Sequence, residues 1–256
     1  MTAQLPPVEE TDAALARRVA DATGALLLTV QRSALFSGKE LGAIGDRIAN
    51  SFIMAALRLA RPADAILSEE EVPDLTRLNT ARVWIVDPLD GTREFSEGRD
   101  DWAVHIGLAI DGVATTGAVA LPAIDATLCT AHPLGIVPTF DVPPRILVSR
   151  TRPAPQALAV AKALGGELVP MGSAGAKAMA VVRGDADIYL HAGGQFEWDN
   201  CAPAAVAMAA GLHVSRIDGS LLVYNQADPY LPDLLICHKE LAPAILTLVA
   251  GFPASD

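Results

Sequence analysis

No apolar run in this sequence reaches about 18 residues, so no membrane-spanning helix is expected. Basic residues are scarce. Nineteen Lys and Arg stand against 30 Asp and Glu, giving a formal net charge of −11 and a pI near 4.8. General binders of nucleic acid or of anionic membranes are basic, so both partners are disfavoured. Cysteine is scarcer still. Cys129, Cys201 and Cys237 lie far apart without metal-ligand spacing, and they read as buried thiols of a reducing compartment. The five histidines, His105, His132, His191, His213 and His238, also lack ligand spacing and read as structural or surface residues. The opening string M-T-A-Q-L-P-P-V-E-E-T-D is acidic and has no apolar h-region, so no signal peptide is expected. Charged residues make up only 19% of the 256 and hydrophobic ones 51%, which argues against disorder and allows one large or two modest domains. The expectation is a cytoplasmic, enzyme-like chain. It can take an anionic small molecule with the help of metal ions and a local cluster of Arg and Lys.

The most informative string is V-W-I-V-D-P-L-D-G-T-R-E-F, residues 83–95. It reads as an apolar strand delivering two aspartates, Asp87 and Asp90, at its carboxyl end. Buried carboxylates are costly unless something positive meets them. An oxygen-rich, sulfur-poor set suits Mg²⁺.

Around this strand the pattern is helical and then alternating. Leu15, Val19, Ala22, Leu26 and Val30 form an amphipathic stripe capped by Thr11 or Asp12. A second helix is expected to start near Asp46, with Ile48, Phe52, Ala55 and Leu59 on one face, and to stop at Pro62. Residues 103–110 and 115–121 read as strands paired about the turn dipeptide Asp111-Gly112, and 126–131 adds another. The Pro-rich segment 132–144 is the best boundary. Beyond it strands near 145–149, 186–191, 213–216 and 233–237 alternate with helices 155–164, 174–183, 200–210 and 240–250, which argues for α/β layers. The expected division is an N-terminal α+β part, 1–140, and a C-terminal α/β part, 141–256.

Three further acidic features stand out. Ser68-Glu69-Glu70-Glu71 follows the apolar Ala65-Ile66-Leu67, and alone it reads as a solvated loop. Asp46 and Asp199, each placed at a helix start, alone read as N-caps. Together the acids are better explained by one site, since each sits at a strand end or helix start, where α/β folds build ligand sites. Asp87 and Asp90 can reach around one cation with the Leu89 carbonyl between them. Gly91 and Thr92 can open a helix toward a phosphate oxygen.

The strings S-E-E, D-P-L-D-G-T and W-D-N resemble the defining motifs of the inositol-monophosphatase superfamily, lithium-sensitive Mg²⁺-dependent phosphomonoesterases, across roughly residues 12–250. Gly91-Thr92-Arg93-Glu94-Phe95, Arg99 to His105, Gly172 to Lys177 and Tyr224-Asn225-Gln226 are similar to its CysQ-type bisphosphate-nucleotidase branch, in the actinobacterial form. The resemblance implies the layered α/β/α/β/α sandwich of the inositol-monophosphatase and fructose-1,6-bisphosphatase type. It implies two or three Mg²⁺ held by Glu69, Asp87, the Leu89 carbonyl, Asp90 and Asp199. It assigns water activation to Asp46, Thr92 and Glu70, and substrate contacts to Gly91, Thr92, Arg93, Ser149, Arg150, Ser173 and Lys177. It further implies removal of the 3′-phosphate from 3′-phosphoadenosine 5′-phosphate, a role in clearing a sulfate-assimilation by-product, and a homodimer. Ahead of the first aspartate the family carries K-x-D-x-S-P-V-T-x-A-D, of which only Gly45-Asp46 survives clearly here. An inositol-1-phosphate or fructose-1,6-bisphosphate phosphatase, and a catalytically weak metal-responsive regulator, stay open as alternatives.

Overall fold

The structure, a computed structural model, describes residues 10–135, 140 and 142–252. Among the described residues, two five-stranded sheets and seven α-helices form five layers. The elements are α1 (Asp12–Arg32), α2 (Gly38–Ala60), β1 (Ala65–Ser68), β2 (Arg82–Asp90), α3 (Thr92–Ser96), β3 (Ala103–Ile110), β4 (Val113–Leu121) and β5 (Ala126–Cys129). They continue with β6 (Arg145–Ser149), α4 (Pro155–Leu164), β7 (Glu167–Met171), α5 (Ala174–Arg183), β8 (Ile188–Ala192), α6 (Glu197–Ala209), β9 (His213–Ser215), β10 (Asp233–Cys237) and α7 (Ala242–Val249). The first sheet has the order β1-β2-β3-β4-β5 and the second β7-β6-β8-β10-β9.

Side-chain alternation builds the layers. Trp84 and Val86 of β2 face α1 and α2, while Val83 and Ile85 face the opposite side with Cys201 and Ala205 of α6. Leu234 and Ile236 of β10 pack on α5 and α6, and Leu235 and Cys237 pack on α4 and α7. The order is therefore α1/α2, first sheet, α5/α6, second sheet, α4/α7, as expected for the α/β/α/β/α sandwich. All three cysteines are buried and free. Among the described residues no helix is long and apolar enough to cross a membrane.

Several elements differ from expectation. Asp46 does not begin a helix, because α2 starts at Gly38 and carries it well inside. Gly42 and Gly45 lie inside α2 as close-packing positions. A Cβ on Gly42 would meet Thr92 Cγ2 at 2.7 Å, and one on Gly45 would meet Leu89 Cδ2 at 2.9 Å. The buried face of α2 is accordingly Leu41, Gly45, Ala49, Ile53 and Leu57, not the Ile48/Phe52/Ala55/Leu59 stripe, on which Phe52 and Leu59 are exposed. Strand β7 escapes a pattern reading because it is a largely exposed edge strand containing Pro170. Helix α6 begins at Glu197, earlier than expected, and Pro203 lies inside it. Thr11 is the cap of α1, accepting from the Ala14 N–H at 3.2 Å. The 132–144 boundary lies partly outside the described residues.

Candidate metal centre and active site

Parallel pairing of β1 with β2 places Ser68 opposite Val86, and the Glu69 N–H extends the ladder to the Val86 carbonyl at 3.3 Å. Glu69 therefore leaves its strand beside Asp87, where its charge acts on the Asp87 carboxyl. The acidic loop is fixed from behind. Ser68 Oγ donates to Asn50 Oδ1 at 2.8 Å, and Asn50 Nδ2 donates to Glu71 Oε1 at 2.8 Å. Glu71 is thereby tied to α2. Glu70 is exposed, and its charge acts on both Asp46 and Glu69.

Between Asp87 and Asp90 the β2–β3 register slips, a local irregularity of the kind that re-aims side chains. Asp87 Oδ1 accepts the Leu89 N–H at 3.0 Å. Gly91, at φ 90°, then turns the chain into α3, a conformation costly for any residue with a Cβ. Thr92 Oγ1 lies 3.1 Å from both Asp46 Oδ1 and the Leu89 carbonyl oxygen. Asp199 arrives from α6. It is not the N-cap that sequence alone implies but the third helical residue, and its Oδ2 reaches back to accept the Phe196 N–H at 2.7 Å.

These elements bring one carboxylate oxygen each from Asp87, Asp90 and Asp199 within 4.8 Å of one another. The electrostatics follow. Burial pushes the Asp87 carboxyl well above its ordinary range, and the charges of Glu69, Asp90 and Asp199 push it further. Burial, then Asp90, raises Asp199 to about 7. Burial, then Glu70, raises Asp46 to about 7. Burial also raises Glu69. Asp90 behaves in the opposite way. Burial opposes its charge, but His105, the Ser173 hydroxyl and the Gly175 N–H together hold it far below the usual range. The cluster thus contains one fixed anion and several carboxyls that cannot all ionise without a cation. An all-oxygen donor set of this charge fits a hard divalent ion, and Asp87, Asp90 and Asp199, with Glu69 and the Leu89 carbonyl, would hold it.

The residues expected to contact substrate are placed unevenly. Gly91 and Thr92 border the acids. Ser173 is buried, donates to Asp90 Oδ2 at 2.5 Å and accepts the Ala176 N–H at 2.9 Å. Lys177 is buried, and its ammonium faces the carbonyls of Met171, Gly172 and Ser173 at 3.4, 3.1 and 2.5 Å. Three donors meet three acceptors, so a phosphate reaching Lys177 must displace a carbonyl. Arg150 gives one N–H to Glu94 at 3.1 Å and one to Glu97 at 3.3 Å, leaving three of its five. Arg93 lies at the exposed rim, paired with Glu97 at 2.9 Å. Ser149 Oγ closes a turn by accepting from Thr151 and Arg152.

His105 is the residue that sequence reasoning missed. It is fully buried, with Nε2 3.1 Å from Asp90 Oδ2 and Nδ1 3.0 Å from the Trp198 carbonyl. Spacing along the chain carries no trace of this. The signal lies in strand register, since β3 runs antiparallel to β2 and sets His105 opposite Asp87.

The model of the inositol monophosphatase family matches residues 9–251. The chain belongs to the inositol monophosphatase family. Within it, a 3′-phosphoadenosine 5′-phosphate phosphatase of Mycobacterium leprae is 51% identical over 258 aligned positions, covering 94% of each protein. The 3′(2′),5′-bisphosphate nucleotidase CysQ of Escherichia coli K12 is 31% identical over 197 positions, 73% of this chain and 80% of its own. CysQ of Bacteroides thetaiotaomicron shares the fold, with a TM-score of 0.75 at 24% identity over 90% of this chain and 98% of that one.

Proposed function

We propose that this member of the family is a Mg²⁺-dependent phosphomonoesterase that converts 3′-phosphoadenosine 5′-phosphate and water to AMP and phosphate. The observation that carries the reading is the convergence of Asp87, Asp90 and Asp199 within 4.8 Å, beside the Thr92–Asp46 pair. Identity of 51% to a mycobacterial phosphatase of that name supports the choice of substrate. When bound, two or three Mg²⁺ would supply Lewis-acid activation and neutralise charge on the phosphoryl group.

The chain's own residues do the remaining work. Thr92 Oγ1 and Asp46 Oδ1 orient the attacking water, and Asp46 takes its proton. Glu70, at the open side of the acids, positions that water. The water oxygen bonds to phosphorus as the bond to the ribose 3′-oxygen breaks, and that oxygen takes a proton from a second water near Asp199. Ser149, Ser173 and Lys177 would stand toward the second phosphate, with Lys177 giving up a backbone carbonyl to reach it. Arg150, with three N–H groups to spare, is its strongest single partner, and Arg93 screens it from the rim. In this reading residues 1–140 supply most of the ligands, and 141–256 supply Asp199 and the nucleotide contacts. The enzyme works in the cytoplasm as a homodimer, for which light scattering should give twice the chain mass.

Phosphate release tests the activity. The protein is incubated with Mg²⁺ and the bisphosphate nucleotide, inositol-1-phosphate or fructose-1,6-bisphosphate. Rapid Mg²⁺-dependent release from the nucleotide supports the reading, and none at any Mg²⁺ concentration rejects it.

A further inference from the structure

We infer that His105 is the positioning residue of the metal centre, a buried bridge that fixes the Asp90 carboxylate and ties it to the segment bearing Asp199. The inference rests on the reading of the acids as metal ligands, and it concerns a side chain outside the ligand set.

The bonding of Asp90 makes the case. Its Oδ2 is approached by Ser173 Oγ at 2.5 Å, the Gly175 N–H at 2.6 Å and His105 Nε2 at 3.1 Å. Among the described residues its Oδ1 has one protein donor, the Ala174 N–H at 3.1 Å. One oxygen is crowded by the protein, and the other keeps capacity for a cation. The other ring nitrogen of His105 meets the Trp198 carbonyl at 3.0 Å, one residue before Asp199. A single ring therefore spans from the end of β2 to the first turn of α6, the two segments that deliver Asp90 and Asp199. The Nδ1 contact to the Trp198 carbonyl is a hydrogen bond, whereas Nε2 stands at ion-pair distance from Asp90 Oδ2 without hydrogen-bond geometry, so the hold on Asp90 is one of charge and packing. Outer partners of this kind orient ligands and set their metal affinity.

A second observation points the same way. A Cβ on Gly175 would stand 2.0 Å from His105 Nε2. The first turn of α5 thus has room for the ring only because residue 175 has no side chain. Gly175 both donates its N–H to Asp90 and leaves the space from which His105 reaches the same oxygen. The G-S-A-G-A-K string that joins β7 to α5 is in this sense a socket for Asp90 and His105, with Lys177 tying its carbonyls from beneath.

The test uses the full-length protein, with Mn²⁺ as probe and calorimetric binding as readout beside steady-state kinetics. His105→Gln sets an amide nitrogen near the Nε2 position, and His105→Asn sets one near Nδ1. His105→Ala supplies neither. Relative to wild type, His105→Ala and His105→Asn should bind Mn²⁺ about 10–100-fold more weakly, with His105→Gln recovering most of the loss. Gly175→Ala, which keeps the ring but drives it from Asp90, should weaken binding to a similar extent. Added to His105→Ala it should cost little more, since both changes remove one interaction. Wild-type Mn²⁺ affinity in His105→Ala or in Gly175→Ala overturns the inference. Failure of the unaltered protein to bind Mn²⁺ overturns the metal reading itself and is seen before any variant is made. If His105→Ala does not fold, Gly175→Ala and His105→Gln decide alone.

Discussion

Asp199→Asn should make the metal-free protein more stable while removing its function. The side chain keeps its shape, and the amide oxygen can still accept the Phe196 N–H that Asp199 accepts at 2.7 Å. What disappears is a charge. In the fold Asp199 holds its proton to about pH 7, whereas an unfolded aspartate releases it near 4. Between those values the folded chain binds more protons than the unfolded one, so stability falls as pH rises and the penalty is complete above pH 7. About three pH units at about 1.4 kcal/mol each give a ceiling of about 4 kcal/mol. Asp87, Asp90 and Glu69 share that repulsion and relax together, so about 2 kcal/mol is the working expectation. For a chain of this size that is a rise in Tm of about 4–8 °C. The assay is thermal unfolding in chelator at pH 8 and pH 5. The variant should melt above the wild type at pH 8, and the gap should narrow by more than half at pH 5. Adding Mg²⁺ should raise the wild-type Tm and leave the variant nearly unmoved. A variant less stable than wild type at pH 8 without metal would refute the picture of acids crowded for want of a cation.

Other consequences are equally direct. Thr92→Ala removes the hydroxyl 3.1 Å from both Asp46 and the Leu89 carbonyl, and kcat should fall about 100-fold or more with the fold intact by circular dichroism. Because Asp46 and Asp199 both hold protons to about pH 7, Mg²⁺ binding there should release on the order of one proton and strengthen between pH 6 and 8. Calorimetry in two buffers of different ionisation heat measures this, and zero release would contradict it. Arg77→Met, read by urea unfolding, should lower stability by about 3 kcal/mol, because it leaves two buried acceptors without a donor. It strips a buried guanidinium from Asn225 Oδ1 at 2.6 Å and from the Gln226 carbonyl at 2.7 Å.

Much of the fold is legible in the sequence because its periodicities are local. Strands 103–110, 145–149 and 233–237 and helices 155–164 and 174–183 stand where apolar spacing and turn residues place them. The misses share a cause. Gly42 and Gly45 sit inside α2 because Leu89 of β2 and Thr92 of α3 leave no room there for a Cβ, a fact of tertiary packing that local pattern does not carry. Strand β7 owes its state to pairing with β6, not to its own pattern. At the site, the acids are visible as motifs because chemistry limits which residues can serve. The partners that orient them are not. His105 and the Ser173–Gly175 turn come to Asp90 from distant segments, and only strand register and helix placement bring them together. Tyr224-Asn225-Gln226 is a further case. It is readable as a string, yet its work is to pin buried Glu197, whose carboxylate accepts the Asn225 and Gln226 N–H groups at 2.7 Å.

The most direct measurement is kcat/KM for 3′-phosphoadenosine 5′-phosphate over that for inositol-1-phosphate, in Mg²⁺ and again in excess chelator. A metal-dependent bisphosphate nucleotidase predicts a ratio well above one in Mg²⁺ and loss of both activities in chelator. A ratio below one, or nucleotide hydrolysis that persists without divalent metal, would contradict it.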